Sequence, residues 1–107
     1  AVVVEGANMP LTEAACRAFR DAGIPIGPGK AANAGGVTVS GFEMQQHTSL
    51  GQWSREAVID RLDEVMTRIH ARCVEAGRTD AGIDYCRGAN LAALRRLGDA
   101  IVAAGPN

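Results

Sequence analysis

The sequence predicts an α/β fold: a parallel strand–helix–strand unit followed by three packed helices. Three observations carry this. Val2-Val3-Val4 is an uninterrupted β-branched run closed by Glu5-Gly6, the pattern of a strand buried on both faces of a parallel sheet. Val58, Leu62, Val65, Met66, Ile69 and Cys73 recur at three- and four-residue steps, as on one side of an amphipathic helix. Candidate strands then stop after Ile26, whereas a self-contained doubly wound domain would go on alternating strands with helices.

Each element has local signals. After the first strand, Asn8-Met9-Pro10 is a loop and Thr12 an N-cap, with Glu13 favourably placed in the first turn. The helix runs from Thr12 to Ala22, offers Ala14, Ala15, Ala18 and Phe19 to a core, and stops at Gly23. Ile24-Pro25-Ile26 is the second strand, with Pro25 at its start or on an edge because it cannot donate to a ladder. Gly27 to Gly36 is a glycine-rich connection, and Val37 to Leu50 a helix stopped by Gly51. Ser54 caps the long helix to about Ala76, with Arg61, Asp63, Glu64 and Arg68 on its other faces. Gly77 to Gly82 is polar and loop-like. Asp84 caps a last helix from Tyr85 to about Ala104, ended by Gly105-Pro106. Its apolar side is Leu91, Leu94, Leu97 and Ile101, and Gly88 and Gly98 each weaken it by ~1 kcal/mol relative to Ala. Residues 1–34 are therefore read as the α/β part and 35–107 as the helical part of a single compact unit, with no internal repeat.

Composition narrows the function classes. The 107 residues carry a net charge of -1, which gives no electrostatic footprint for nucleic acid or an anionic membrane. No apolar run approaches the ~20 residues of a spanning helix. The first residues have no basic region or cleavage site of a leader, and no initiator Met precedes them, as expected of a chain that begins mid-protein. Cys16, Cys73 and Cys86 are odd in number and irregularly spaced, so a reduced, cytoplasmic setting is expected.

Three segments carry candidate chemistry. Asn8 lies just past a strand end, where open parallel sheets bind ligands. Its amide can donate and accept, as a ribose hydroxyl or carboxamide requires, although a turn asparagine bonding its own backbone is the stronger reading from the residues alone. Gly27 to Gly36 is neither a Walker loop nor G-x-G-x-x-G, and Lys30 within it can be merely solvated. On the following helix Val37, Ser40, Gly41 and Met44 share a face. Ser40 could fix the polar end of a small ligand whose methylenes lie on Val37, or could bond a carbonyl one turn back; the two readings are even. His70 and Cys73 are spaced as half a zinc site, without a second half. His47 reads as a helix-surface histidine and Trp53 as a packing anchor.

The strings EGANMP, GPGKAANAGGVTVSGFEMQQ and IDYCRGANLAALRRLGDAIVAAG together resemble the hexameric glutamate dehydrogenases, above all the bacterial NADP-type enzymes. The likeness covers nearly all 107 residues and about the last quarter of a family chain. It implies the end of a Rossmann-like parallel βαβ unit, then hinge and interdomain helices. It implies a parent enzyme that converts L-glutamate to 2-oxoglutarate and ammonia with NADP or NAD. Asn8 matches an asparagine beside the nicotinamide ribose, and Asn33 one near the nicotinamide carboxamide and ribose. Ser40 matches the serine that bonds the distal carboxylate of glutamate, and Val37 a residue lining the pocket for its methylenes. The family's catalytic lysine and aspartate match nothing here, so no catalytic residue is assigned and the isolated chain is expected to be inactive. The resemblance also implies a homo-oligomeric parent, a hexamer. For the chain alone, exposed helix faces predict a dimer or a helix-swapped oligomer hinging near Gly51 or Gly77 to Gly82. The rivals are a dehydrogenase of leucine, valine or phenylalanine, in which Ser40 would have less to do, and a non-enzymatic assembly module.

Overall fold

The computed structural model describes residues 1–49 and 51–105. Strands β1 (Val3–Val4) and β2 (Ile26–Gly27) pair in parallel, Val3 opposite Ile26 and Val4 opposite Gly27. The ladder extends by one bond at each end, from Val3 N–H to the Pro25 carbonyl (3.0 Å) and from Glu5 N–H to the Gly27 carbonyl (2.9 Å). Pro25 thus stands at the strand start and contributes only an acceptor. Between the strands, helix α1 (Glu13–Asp21) is capped by Thr12, whose Oγ1 accepts from Ala15 N–H at 3.2 Å. The expectation of a strand buried on both faces fails for β1. Val2 is 63% and Val4 61% exposed, because a two-stranded sheet covers only the face that Val3 meets. On α1 only Ala15, Cys16 and Phe19 are half-buried on the inner side, while Ala14 and Ala18 face solvent.

The glycine-rich segment is helical, not a connection. Helix α2 (Gly29–Ala32) follows Pro28, and α3 (Ala34–Thr48) begins after one residue, Asn33, which ends the first helix and starts the second. Pro28 fixes φ at -70°, and three small residues leave the turn sterically free. Gly35 and Gly36 therefore lie inside the first turn of α3 and do not precede a helix starting at Val37. The expected end at Leu50 lies outside the described residues, and α3 ends at Thr48.

Helix α4 (Arg55–Gly77) starts at Ser54, whose Oγ accepts from Ala57 N–H at 3.1 Å. All six residues of its apolar stripe are buried or half-buried. Gly77 is the last residue of the helix, and Gly77 to Gly82 is more than a loop. Strands β3 (Arg78–Thr79) and β4 (Gly82–Ile83) form a minimal antiparallel hairpin, with Thr79 Oγ1 donating to the Gly82 carbonyl at 2.9 Å. Asp84 then caps α5 (Tyr85–Ala104), accepting from Arg87 N–H at 2.9 Å.

The three long helices pack in series, α3 on α4 and α4 on α5. Where the end of α4 meets the start of α5 the backbones nearly touch. A Cβ on Gly77 would lie 3.2 Å from Gly88 Cα. The core sits at this crossing and under β2: Ile26, Cys73, Ala76 and Ala89 are buried. Beyond it the apolar side of α5 is uncovered. Leu91 is half-buried, but Leu94, Leu97 and Ile101 are exposed. The chain is correspondingly drawn out, not the compact unit expected. Its radius of gyration is 16.6 Å, against about 13 Å for a compact domain of this length. No helix among the described residues is long and apolar enough to cross a membrane.

Candidate functional site

Two of the predicted site residues, Asn8 and Asn33, meet beyond the end of β1. The chain leaves β1 through Glu5 and bends over Gly6 to Met9, and Met9 adopts φ 51°. A left-handed conformation at a side chain without local hydrogen-bonding capacity costs of order 1–3 kcal/mol and persists only where its surroundings hold it. This turn leaves Asn8 against the end of α2. Asn33 Nδ2 donates to Asn8 Oδ1 at 2.7 Å, across 25 positions of sequence. The turn-asparagine reading is thereby displaced, since the Asn8 carbonyl oxygen is engaged by another side chain. Among the described residues the pair leaves both Nδ2 protons of Asn8 and the Oδ1 of Asn33 without a side-chain partner, so each keeps hydrogen-bonding capacity.

Asn33 also heads a helical face. Val37, Ser40 and Met44 follow it at four, seven and eleven positions, one above another on α3. This face is open: Val37 is 74% and Met44 67% exposed, and Ser40 is exposed between them. Ser40 Oγ donates to the Gly36 carbonyl at 3.3 Å, the one-turn-back bond that the sequence allowed. At that length the bond is weak and solvent-exposed, so the hydroxyl is readily redirected to a better acceptor. An apolar flank with one hydroxyl therefore adjoins a pair of amides. Such a surface offers hydrogen-bond donors and acceptors beside a small apolar face.

The other candidates resolve differently. Lys30 is not merely solvated: its Nζ donates to Asn90 Oδ1 at 2.6 Å, tying α2 to α5. His70 faces Tyr85, with Nε2 3.4 Å from the phenolic oxygen, and no group of three metal-ligating side chains occurs among the described residues. Trp53 packs against Phe42 with ring centroids 5.5 Å apart and carries the Arg61 guanidinium at 4.1 Å, as an anchor does. His47 lies exposed on α3. Burial pushes the Cys73 thiol above its ordinary pKa, and burial followed by the Asp84 charge does the same for Cys86. A cavity of about 670 Å³ lies between the strands and α4, lined by Val2, Val4, Met66, Ile69 and Cys73 among others, and no predicted site residue borders it.

Sequence reasoning missed Glu5. Its Oε2 accepts the Gly29 backbone N–H at 2.8 Å, half-buried. The available signal was weak, an acidic residue at a strand end, because its partner lies 24 residues away.

Comparison with known proteins identifies the family of the chain. The family model described as glutamate/leucine/phenylalanine/valine dehydrogenase matches residues 1–105. Among curated relatives, the glutamate dehydrogenase of Bacteroides thetaiotaomicron is 48% identical over 104 residues, 96% of this chain. The NADP-specific glutamate dehydrogenase of Escherichia coli is 47% identical over 103 residues, again 96% of this chain. The chain spans only 23% of the length of each. Among solved structures, one glutamate dehydrogenase superposes with a TM-score of 0.87 at 40% identity, covering 96% of this chain and 23% of its own. The Plasmodium falciparum glutamate dehydrogenase superposes with 0.89 at 36% identity, covering 98% and 23%. A family match over nearly the whole described chain leaves one conclusion: the chain belongs to the glutamate/leucine/phenylalanine/valine dehydrogenase family, of whose members it represents about a quarter.

Proposed function

We propose that this chain is the C-terminal part of an NADP-dependent glutamate dehydrogenase and forms one wall of its active-site cleft. In this reading β1, α1 and β2 are the end of a Rossmann-like unit, residues 1–34 belong to the nucleotide-binding domain, and residues 35–107 supply the hinge and interdomain helices. The observation that carries it is the Asn8–Asn33 pair at the head of an exposed helix face bearing Val37 and Ser40. The parent reaction takes L-glutamate, water and NADP+ to 2-oxoglutarate, ammonium, NADPH and a proton. The coenzyme, when bound, supplies the hydride acceptor.

The residues of this chain bind and orient. Asn8 and Asn33 offer the donor and acceptor that a nicotinamide carboxamide and its ribose need, so the residues present fit that group. The Ser40 hydroxyl exchanges the Gly36 carbonyl for the distal carboxylate of glutamate, a charged acceptor that makes roughly twice as strong a bond. Val37 covers the methylenes. Holding two reactants in line is worth several kcal/mol of barrier, and it requires both walls of the cleft. No catalytic residue is assigned to this chain, and the chain alone is expected to bind neither reactant tightly nor to turn over. NADP is favoured over NAD because several relatives, among them the Escherichia coli enzyme, are NADP-specific. Homo-oligomerisation of the parent and a reduced, cytoplasmic setting belong to the same proposal.

Ser40→Ala in the full-length enzyme tests the substrate. Losing a hydrogen bond to a charged group costs about 1.5–3 kcal/mol, which raises the KM for glutamate roughly tenfold or more. An amino acid with an apolar side chain of similar length loses no such bond. Equal losses for both would overturn glutamate in favour of a leucine, valine or phenylalanine dehydrogenase.

A further inference from the structure

We infer that Glu5 is a positioning residue for the coenzyme wall: its carboxylate clasps the start of α2 and thereby sets the distance between Asn8 and Asn33. The inference rests on the site reading above and adds a residue to it.

Helix α2 has four residues, too few to be stable by propensity. Something outside it must hold it. At its first residue, the Glu5 carboxylate accepts the Gly29 N–H at 2.8 Å, and the site is half-buried, where a charged acceptor is strongest. Gly29 is itself buried and pressed on the backbone of the Asn8 loop. A Cβ there would overlap the Ala7 carbonyl oxygen and lie 3.5 Å from Glu5 Cβ. Glu5 is three residues before Asn8, and Gly29 one helical turn before Asn33. The clasp and the Asn8–Asn33 bond therefore close one small frame, with the strand-end loop on one side and α2 on the other. Release of the carboxylate removes the charged hydrogen bond between α2 and this loop and leaves the packing of Gly29 on Ala7 and the exposed amide pair. The two amides then hold their common register less firmly, although neither is altered. The role is one of geometry: the carbonyl oxygen of a glutamine can do it, whereas an aspartate, one methylene shorter, cannot reach.

The test uses the full-length enzyme carrying this segment, with Glu5→Ala, Glu5→Gln and Glu5→Asp. Glu5→Ala raises the KM for NADP about tenfold, and leaves the KM for glutamate at saturating coenzyme within about twofold. Glu5→Gln restores the coenzyme KM to within about threefold of the parent. An unchanged coenzyme KM in Glu5→Ala, an equal loss in Glu5→Gln, or a matching rise for glutamate overturns the inference. If Glu5→Ala does not yield folded enzyme, the order of the other two decides. Glu5→Gln must bind NADP more tightly than Glu5→Asp, and equality or the reverse order overturns it. Asn8→Ala and Asn33→Ala run alongside. If they leave the coenzyme KM unchanged, the site reading itself fails. If they raise it and Glu5→Ala does not, only the clasp fails.

Discussion

Gly88 and Gly98 lie in the same helix, and the sequence treats them alike as weak points. The structure separates them. Around Gly98 there is nothing within 4 Å of an added Cβ, so Gly98→Ala gains only backbone entropy and stabilises by about 0.5–1 kcal/mol. An added Cβ on Gly88 would overlap the Cys73 carbonyl oxygen and stand 2.8 Å from its carbonyl carbon and 3.1 Å from its Cα. Carbon contacts settle near 3.5–4.0 Å, so α4 and α5 must part by roughly 0.5–1 Å. The obstacle is backbone, which no rotamer change can move. The parting also opens the crossing that buries Cys73, Ala76 and Ala89, three of the four buried apolar side chains among the described residues. Overpacking costs typically 1–3 kcal/mol, and a backbone obstacle puts this one at the upper end. Less the entropy gain, Gly88→Ala is destabilised by about 2–2.5 kcal/mol, a fall in Tm of roughly 8–20 °C for a chain of this size. Thermal unfolding of the 107-residue chain followed by circular dichroism at 222 nm measures both variants. Opposite signs are expected. A Gly88→Ala variant as stable as the parent would refute the close-contact argument.

Further outcomes follow from the same structure. Ser54→Ala and Asp84→Ala each remove a side chain that accepts a first-turn N–H, at 3.1 and 2.9 Å, and each lowers stability by about 1 kcal/mol in the same unfolding assay. Leu94, Leu97 and Ile101 leave an apolar stripe on α5, so the isolated chain self-associates. Leu97→Glu with Ile101→Lys shifts it towards the monomer mass of 11.1 kDa in light scattering, and a concentration-independent monomer for the parent sequence would count against the stripe. Cys73 and Cys86 have raised folded pKa values, so the unfolded state loses its thiol protons first on titration upwards. Their contribution to stability is complete below the unfolded thiol pKa and is lost as pH rises towards the folded values, so Tm falls on the alkaline side. Cys73→Ala makes that slope shallower, whatever its effect on Tm at neutral pH.

What was legible in the sequence was what is local. Thr12, Ser54 and Asp84 cap their helices as read, because an N-cap engages a donor only three residues on. The stripe from Val58 to Cys73 is buried as read, because helical periodicity is intrinsic to one segment. Most of the failures are tertiary, and one is a local element too short to announce itself. Helix α2 has no periodicity to find, and a carboxylate 24 residues away caps its first residue. The β3–β4 hairpin is two residues a side. Val2 and Val4 carry the signature of a covered strand, and the two-stranded sheet leaves them in solvent. Asn8 and Asn33 each had an innocuous reading alone, and nothing in the sequence announces the 2.7 Å contact that brings them together.

The same contrast separates the fold from the function of this chain. Its buried apolar residues lie at the α4–α5 crossing and under β2, and that is where its own sequence closes on itself. Val37, Met44, Leu94, Leu97 and Ile101 are as apolar as anything in the core, yet they are exposed. Two of these share a helix face with Asn33 and Ser40, and three lie together on α5. Apolar residues with regular helical spacing and no partner are the mark of surfaces complementary to something else. The chain matches 23% of the length of its relatives, and under the proposed function the complement is the rest of the parent enzyme. An exposed Val37 beside an exposed Ser40 is thus expected of one wall of a cleft. In a closed pocket both would be covered. Burial within this chain alone is for that reason a poor guide to its site, and the hydrogen-bonded frame of Glu5, Gly29, Asn8 and Asn33 is a better one. Under the proposed function, those bonds hold the two amides together within this chain itself.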